Sequence, residues 1–156
     1  MTEPQIRRAT VTDAEKLTQV YRSAYRENRR LGFPAKAESV TRSEVADWIW
    51  KRQVYVAEID DEVVGGVRLE ATDSARVKLS RLGVHESQKG KGIGGRLMDH
   101  AEEAVRNRSH TTVWLTTPEK HPYLPGFYRR RGYEKTGEYP LENRRYDEIV
   151  MEKRLQ

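Results

Sequence analysis

Apolar residues recur every three or four positions near the start of the chain, which is the spacing of an amphipathic helix. They are Leu17, Val20, Tyr21, Ala24 and Tyr25. Just before them, Thr12 and Glu15 have the spacing of a capping box at a helix start. Gly32 and Pro34 follow the series, so we expect the helix to end before them. Residues 6–10 predict a short strand in front of it.

A second series of this kind begins at Thr41, which forms another potential capping box with Glu44. The helix predicted here is shorter, and its apolar face consists of Val45, Trp48 and Ile49. Two runs rich in β-branched residues follow within 53–71, on either side of Asp60 and Asp61. Because a short turn between two such runs is typical of a hairpin, we expect an antiparallel pair of strands.

The middle of the chain alternates apolar and polar positions over 75–84, which predicts a strand that leads into a glycine-rich stretch. A long helix is then predicted to run to about Asn107, with an apolar face of Ile93, Leu97, Ala101, Ala104 and Val105. Residues 111–117 predict the next strand. We therefore expect a strand–loop–helix–strand unit in this part of the chain.

The last part of the chain predicts a short helix that carries Leu124, Phe127 and Tyr128. Gly132 is suited to end it in a left-handed conformation, and two strands, 133–139 and 147–155, can close the sheet. The whole order predicts a mixed α/β (α+β) fold, a mostly antiparallel mixed sheet of about six to seven strands flanked by about four helices. Since no linker or repeat interrupts it, we expect residues 1–156 to form a single domain.

Composition narrows the classes of protein to which the chain can belong. It has no cysteine, which removes disulfides, thiolate metal ligands and a thiol nucleophile. Its four histidines lack the spacing of metal ligands, so we expect no metal site. The first residues contain no apolar signal region, and no run approaches membrane-spanning length. We expect a cytoplasmic protein that does not contact a membrane.

A formal net charge of +5 suits an anionic partner, either nucleic acid or a phosphorylated cofactor. The basic residues are scattered along the chain, and no zinc-finger, basic-zipper or aromatic-basic RNA-binding signature is present. We therefore do not expect nucleic acid to be the partner, and the cofactor alternative directs attention to the glycine-rich stretch.

That stretch, ESQKGKGIGGRL at 86–97, combines glycines and lysines at the start of a predicted helix. Backbone N–H groups can point into a glycine loop, and the helix N-terminus adds partial positive charge, so a pyrophosphate is its natural ligand. Gly90, Gly92 and Gly95 also match the Rossmann pattern, but three predicted antiparallel strands precede the loop, which is the wrong context. A Walker A loop would need a closing Gly-Lys-Ser/Thr, and a plain surface loop has the same composition.

Several segments, taken together and in order, resemble the GNAT superfamily of N-acetyltransferases, whose acetyl-CoA loop reads Arg/Gln-x-x-Gly-x-Gly/Ala. Lys89 stands in the first position of that loop, and Gly92 and Gly94 match it. The other similar segments are 6–17, 79–84, 127–139 and 149–155. The resemblance spans essentially the whole chain and is strongest over 77–139.

This resemblance implies a GNAT-like acyl-CoA N-acyltransferase fold with acetyl-CoA as the cosubstrate. It implies that the strand ending at Val84 bulges and splays from the strand at 111–117, so that pantetheine lies in the gap like an added strand. The implied cofactor contacts are Leu82, Gly83, Val84, Lys89, Gly90, Lys91, Gly92, Ile93, Gly94, Gly95, His121 and Tyr128. His121 stands where the family often has an asparagine, and a turn residue is its other interpretation.

The implied reaction is direct attack of a primary amine on the thioester within a ternary complex, with Tyr128 as general acid for the departing thiolate. A core tyrosine with an unrelated hydrogen bond is the other interpretation of Tyr128. The general base is open, because Lys78 stands where many members carry a glutamate. Glu70, Asp73 and His85 are candidates, and an acceptor α-amine, with a pKa of about 8, would need little help.

The sequence does not identify the acceptor, which the resemblance places near 25–39 and 139–148. A module of the same fold that binds CoA or acetyl-CoA as a sensor, without catalysis, is the alternative function. The oligomeric state also stays open, a homodimer included.

Overall fold

Seven strands form a single sheet in the computed structural model, which describes residues 3–139 and 146–155. The strands are β1 (Gln5–Arg8), β2 (Gln53–Ile59), β3 (Glu62–Ala71), β4 (Arg76–Val84), β5 (Thr112–Pro118), β6 (Glu134–Tyr139) and β7 (Glu148–Arg154). The helices are α1 (Ala14–Arg30), α2 (Arg42–Lys51), α3 (Ile93–Asn107) and α4 (Leu124–Arg130). The strand order is β1-β2-β3-β4-β5-β7-β6, and only β4 and β5 are parallel neighbours among the described strands. This architecture confirms the predicted mixed, mostly antiparallel sheet.

The turn between β2 and β3 places Asp60 and Asp61 at positive φ, 50° and 66°. Aspartate tolerates this left-handed region better than most residues, because its short side chain can form local hydrogen bonds. Two such residues in succession give the tight turn whose twist matches that of antiparallel strands. The pairing of β2 with β3 confirms the predicted hairpin.

The two predicted capping boxes have different outcomes. Thr41 caps α2 as predicted: its hydroxyl accepts from the backbone N–H of Glu44 at 3.2 Å, and its own N–H donates to that carboxylate at 3.1 Å. The box predicted at Thr12 and Glu15 is wrong. The N–H of Thr10 instead donates to Asp13 at 2.8 Å, and a short 3-10 turn precedes α1. Asp13 is fixed there because Arg7 on β1 donates two hydrogen bonds to it, at 2.8 and 2.9 Å.

The sheet carries a separate apolar core on each face, because successive side chains of a strand point to opposite sides. On one face, α3 packs against a core that includes Val67, Leu69, Leu79 and Leu97. On the other face, α1 and α2 cover a core that includes Leu17, Tyr21, Val45 and Val56. Burial of each large apolar side chain contributes roughly 1.5–3 kcal/mol. Each face of the sheet is therefore covered by its own helices, α3 on one side and α1 with α2 on the other.

The parallel strands β4 and β5 pair only at their beginnings. Their Cα partners run from Arg76 with Thr112 to Lys78 with Trp114, and the pairing ends there. β4 continues to Val84 alongside β3, and β5 continues to Pro118 alongside β7. The two strands thus separate into a wedge, as the family resemblance implied.

The contrast between the two capping boxes can be measured. Thr41→Ala removes a side-chain cap and should lower the free energy of unfolding by about 1 kcal/mol, or about 2–4 °C in Tm. Thr12→Ala should change stability by less than about 0.5 kcal/mol, because Thr12 is exposed and caps no helix. Thermal unfolding of both variants checks this, and an equal loss for both would contradict the observed cap positions.

Candidate active site

A cavity of about 700 Å³ occupies the wedge between β4 and β5, and we call it the β4–β5 cleft. Its lining combines the second halves of both strands with the end of α1, the glycine-rich loop and the start of α4. A volume of this size lies within the range of roughly 300–1,000 Å³ that holds small-molecule ligands. The cleft is therefore the candidate active site.

The β4 wall of the cleft contains a β-bulge. The register with β3 shifts between Gly66 and Arg68, and Arg81 adopts a positive φ of 52°. The carbonyl of Leu82 accepts a hydrogen bond from the Tyr25 hydroxyl at 3.1 Å. Because β5 has already separated, backbone groups of the bulge on its side face the cleft rather than a neighbouring strand. They can pair with an extended, amide-containing ligand.

The β5 wall presents a buried hydroxyl. The side chain of Thr117 is almost fully buried and lines the cleft, and its Oγ1 has no hydrogen-bond partner among the described residues. A buried polar atom without a partner costs free energy, so such atoms are usually paired with protein, water or ligand. A polar group of a ligand in the cleft would satisfy it.

The glycine-rich loop also lines the cleft and turns sharply there. Gly90 and Gly92 have φ of 80° and 79°, in the left-handed region that favours glycine. Gly92 is the N-cap of α3, and Ile93 begins the helix. Unpaired N–H groups at a helix start, together with the helix dipole, favour an anion at this position.

The side chain of Lys89 is held by a carboxylate of α1. Its Nζ donates to Glu27 at 2.9 Å, and the Tyr123 hydroxyl donates to the same carboxylate. Burial raises the pKa of Glu27, but these two hydrogen bonds outweigh it and the pKa lies below its ordinary value. Glu27 is therefore ionised and bridges α1, the loop and the start of α4.

Tyr128 is buried in α4 and lines the cleft. Its ring packs against Phe127 and Tyr133, with ring centroids 5.3 and 6.0 Å away. Its hydroxyl makes no hydrogen bond to the residues that the structure describes. Burial, then the neighbouring Tyr25 and Glu148, raises the pKa of Tyr128 above its ordinary value. The hydroxyl is thus a protonated donor whose partner is left to a ligand.

His121 is buried, and both nitrogens of its ring have protein partners. Nδ1 accepts from the backbone N–H groups of Tyr123 and Leu124 at 3.3 and 3.2 Å, and Nε2 donates to the Asn28 side chain at 3.1 Å. Burial lowers the pKa of His121, so the neutral tautomer with a proton on Nε2 fits this arrangement. His121 lies outside the cleft lining and holds the start of α4. Its predicted contact with the cofactor stays a prediction, while its interpretation as a turn residue has direct support.

The three candidate bases named from the sequence do not line the cleft. Glu70 pairs with Arg52, Asp73 accepts from the backbone of its own turn, and His85 accepts from the N–H of Ser87.

Lys78 does line the cleft, and burial followed by the charges of Arg68 and Arg81 lowers its pKa. The carboxylates of the described lining are Glu27 and Glu148, which the sequence pattern did not single out.

Within 3–139 and 146–155, no three or more histidine, aspartate or glutamate side chains are grouped so that they could hold a metal ion. Nor does any helix in these ranges combine the length and the apolar character of a membrane span.

Comparison with known proteins identifies the family. Residues 50–135, more than half of the chain, match the family model described as the Acetyltransferase (GNAT) domain. The chain belongs to the GNAT acetyltransferase family. It is therefore an N-acetyltransferase of the GNAT type, which confirms the family predicted from the glycine-rich loop and its flanking segments.

Two curated relatives come from Bacillus subtilis (strain 168). The chain is 28% identical to S-(2-succino)cysteine N-acetyltransferase, over 98% of this chain and 97% of that protein. It is 27% identical to S-alkylcysteine N-acetyltransferase, over 86% of this chain and 80% of that protein. These relatives match over most of their length, although their identity to the GNAT chain described here is low.

Solved structures show the same fold. PaiA N-acetyltransferase from Thermoplasma acidophilum, in complex with coenzyme A, has a TM-score of 0.83 at 19% identity, over 97% of this chain and 99% of that chain. YncA from Salmonella typhimurium, with its cofactor acetyl-CoA, has a TM-score of 0.81 at 19% identity, over 99% and 95% of the two chains. The GNAT fold of this chain is thus shared along almost its entire length.

The fold brings most of the predicted cofactor contacts of this GNAT protein to the cleft. Ten of the twelve line it, and the two that do not are Lys91 and His121. Lys91 is exposed, and its Nζ donates to Gln88 at 3.0 Å. Of the predicted acceptor segment 139–148, residues 140–145 lie outside the described residues.

The conformation of Gly92 gives a test of the loop. Gly92→Ala forces an L-residue into the left-handed region and should cost about 1 kcal/mol of stability. It should also reduce the Tm increase produced by acetyl-CoA, because the start of α3 shifts. Gly137→Ala is the matched control, since its added Cβ meets open space at an ordinary φ. If both variants melt like the parent and respond equally to acetyl-CoA, the loop does not need this conformation.

Proposed function

We propose that this N-acetyltransferase moves the acetyl group of acetyl-CoA to a primary amine by direct attack within a ternary complex. The observation that carries the proposal is the wedge between β4 and β5. It is lined both by the glycine-capped start of α3 and by Tyr128, whose hydroxyl has no hydrogen-bond partner among the described residues. This arrangement supports one elongated ligand with an anionic end and a reactive end.

The residues along the cleft are chemically suited to acetyl-CoA. The pyrophosphate would accept hydrogen bonds from the N–H groups of the loop around Gly92 and from the first turn of α3. The pantetheine amides would pair with the backbone of 82–84 and extend the sheet as an added strand. The Thr117 hydroxyl, for which the described residues provide no partner, supports a further contact on the β5 wall.

The proposed reaction begins when the neutral amine nitrogen attacks the thioester carbonyl and a C–N bond forms. The C–S bond then breaks, its electron pair goes to sulfur, and the amide and CoA are released. Nitrogen loses one proton and sulfur gains one, so no other co-reactant is needed. The side chains of the cleft therefore have two tasks, to bind both substrates and to assist these two proton transfers.

Tyr128 would act as the general acid for the departing sulfur. A thiol has an ordinary pKa of about 8.5, and burial raises the pKa of Tyr128 above its own ordinary value. The hydroxyl consequently stays protonated at the pH values at which an α-amine begins to lose its proton. It would stabilise the departing sulfur by donating a hydrogen bond as negative charge develops there.

No single side chain of the cleft stands out as the general base that would accept the proton of the amine. Lys78 has a lowered pKa, the direction that a lysine base would need, and Glu148 is the nearby carboxylate of the lining. An α-amine, with an ordinary pKa of about 8, is partly neutral near physiological pH and can lose its proton to water. We propose an acceptor of this kind, for which a dedicated base is not required.

The names of the two Bacillus relatives also support an acceptor with an α-amine. Each is named for a cysteine derivative, and such amino acids carry an α-amine. S-substituted cysteines therefore belong at the head of an acceptor panel, before polyamines, aminoglycosides and peptide N-termini.

The proposal predicts a measurable ligand effect. Acetyl-CoA at a hundredfold excess over its Kd should stabilise the protein by about 2.7 kcal/mol and raise its Tm. Free thiol should appear only when acetyl-CoA and an accepted amine are both present. Tight binding without turnover across the whole panel would favour the sensor alternative. The absence of any Tm increase would overturn both.

Tyr128→Phe tests the proposed role of the Tyr128 hydroxyl as the general acid. Turnover should fall by about a hundredfold, because general acid catalysis commonly contributes that much or more, while the Tm increase with acetyl-CoA should persist.

Tyr133→Phe is the matched control. That hydroxyl donates to the buried Glu102 at 3.0 Å, away from the cleft, so its loss should lower Tm without a selective loss of turnover. Full activity of Tyr128→Phe would remove this residue from the proton transfer.

A further inference from the structure

Three basic side chains from neighbouring strands line one side of the cleft: Arg68 on β3, and Lys78 and Arg81 on β4. Arg68 is the direct partner of Ser80, and its Nε donates to the Ser80 hydroxyl at 3.0 Å. Leu79, between Lys78 and Ser80, points into the core under α3. By the alternation of a strand, Lys78 and Ser80 therefore face the opposite side, toward α1 and α2.

Aromatic rings hold the three cations in place. The guanidinium carbons of Arg68 and Arg81 lie 4.6 and 5.5 Å from the ring centroid of Trp48 on α2. The Nζ of Lys78 lies 5.1 Å from the ring centroid of Trp114. Cation–π contacts orient a charge without neutralising it. The side chains are thus ordered but keep their positive charge.

No direct ion pair neutralises the cluster within the described part of the chain, although Glu70 and Glu148 act on its charges from a greater distance. Among the described residues, none of the three basic groups forms an ion pair, whereas Arg76 on the same strand pairs with Glu152 at 3.3 Å. The Nε of Arg81 is buried and has no hydrogen-bond partner in the part of the chain that the structure describes. Burial, then the charge of Arg81, lowers the pKa of Arg68, a sign that the like charges repel one another. A bound anion would relieve this repulsion and accept the missing hydrogen bond.

Such an anion would be distinct from the phosphates of acetyl-CoA. The glycine-rich loop and α3, which suit those phosphates, lie on the side of the sheet where Leu79 and Leu97 pack together. The basic cluster belongs to the other face, beside Trp48. Arg81 lies near Tyr25, which in turn neighbours Tyr128, the residue that we propose at the reaction end of the cleft. The cluster therefore adjoins the acceptor rather than the nucleotide.

We infer that Arg68, Lys78 and Arg81 bind a carboxylate of the acceptor, so that the substrates are amino acids or other amines with a carboxylate close to the reacting nitrogen. This inference rests on the proposed function, because it places the acceptor beside the thioester. Arg81 is the principal contact: its guanidinium offers a planar pair of donors to a carboxylate. Arg68 and Lys78 add charge on either side of it.

The first test needs no variant. The best amino acid acceptor of the panel is compared with the same molecule whose carboxylate has been converted to a primary amide. We expect kcat/KM for the acid to exceed that for the amide by about ten- to a hundredfold, the usual effect of a charge-assisted contact. Equal use of both compounds, or a panel in which every accepted amine lacks a carboxylate, overturns the inference and leaves the acetyltransferase proposal intact.

Variants then locate the contact. Arg81→Gln and Arg68→Gln should each lower kcat/KM for the acid, chiefly through KM, by about tenfold or more relative to the change for the amide. Arg76→Gln is the matched control on the same strand, outside the cleft, and should preserve the preference for the acid.

Two results would contradict this assignment: an equal loss for acid and amide, or no loss for either. Failure of the parent protein to acetylate any amine would instead overturn the proposed function, and the inference with it. The Tm increase with acetyl-CoA is measured on each variant, and its persistence separates loss of the acceptor contact from misfolding.

Discussion

The early separation of β4 from β5 is the constraint on which the site depends. A strand that pairs on both edges offers no backbone group to a ligand, since every N–H and C=O is already used. Here the pairing stops at Lys78 and Trp114, while β3 and β7 keep the two strands rigid on their outer edges. The sheet therefore supplies fixed, strand-like hydrogen-bonding groups to a space that no other strand fills.

The bulge at Arg81 gives this wedge a second consequence. One extra residue in β4 reverses the side-chain alternation beyond it, so Arg81 shares the side of the cleft with Lys78 and Arg68. The positive φ of Arg81 costs roughly 1–2 kcal/mol for a residue with a Cβ, and surrounding structure must offset it. The Tyr25 hydrogen bond to Leu82 and the stacking on Trp48 are two contacts that hold the bulge.

Local patterns predicted the elements of this fold well, and the loop too, since its glycines recur at a recognisable spacing. The cap of α1 was misplaced because it depends on Arg7, a side chain of another strand, which the local spacing of Thr12 and Glu15 cannot reveal. The basic cluster escaped prediction for the same reason. Arg68 and Arg81 are thirteen positions apart in unremarkable strand sequences, and only the register of β3 with β4 brings them together.

His121 and Lys89 are held by their protein partners to different degrees, which the sequence resemblance alone does not predict. Both belong to one network, in which Lys89 binds Glu27, Tyr123 binds the same carboxylate, and His121 holds the N–H groups at the start of α4. A half-exposed ion pair such as Lys89–Glu27 contributes only about 0–1 kcal/mol, so a phosphate could draw Lys89 away at little cost. His121 is different, because turning its ring toward a ligand would take the acceptor away from two part-buried N–H groups. The same network thus leaves the lysine available to a cofactor, while a cofactor contact by His121 would have to compete with its hydrogen bonds to the start of the helix that carries Tyr128.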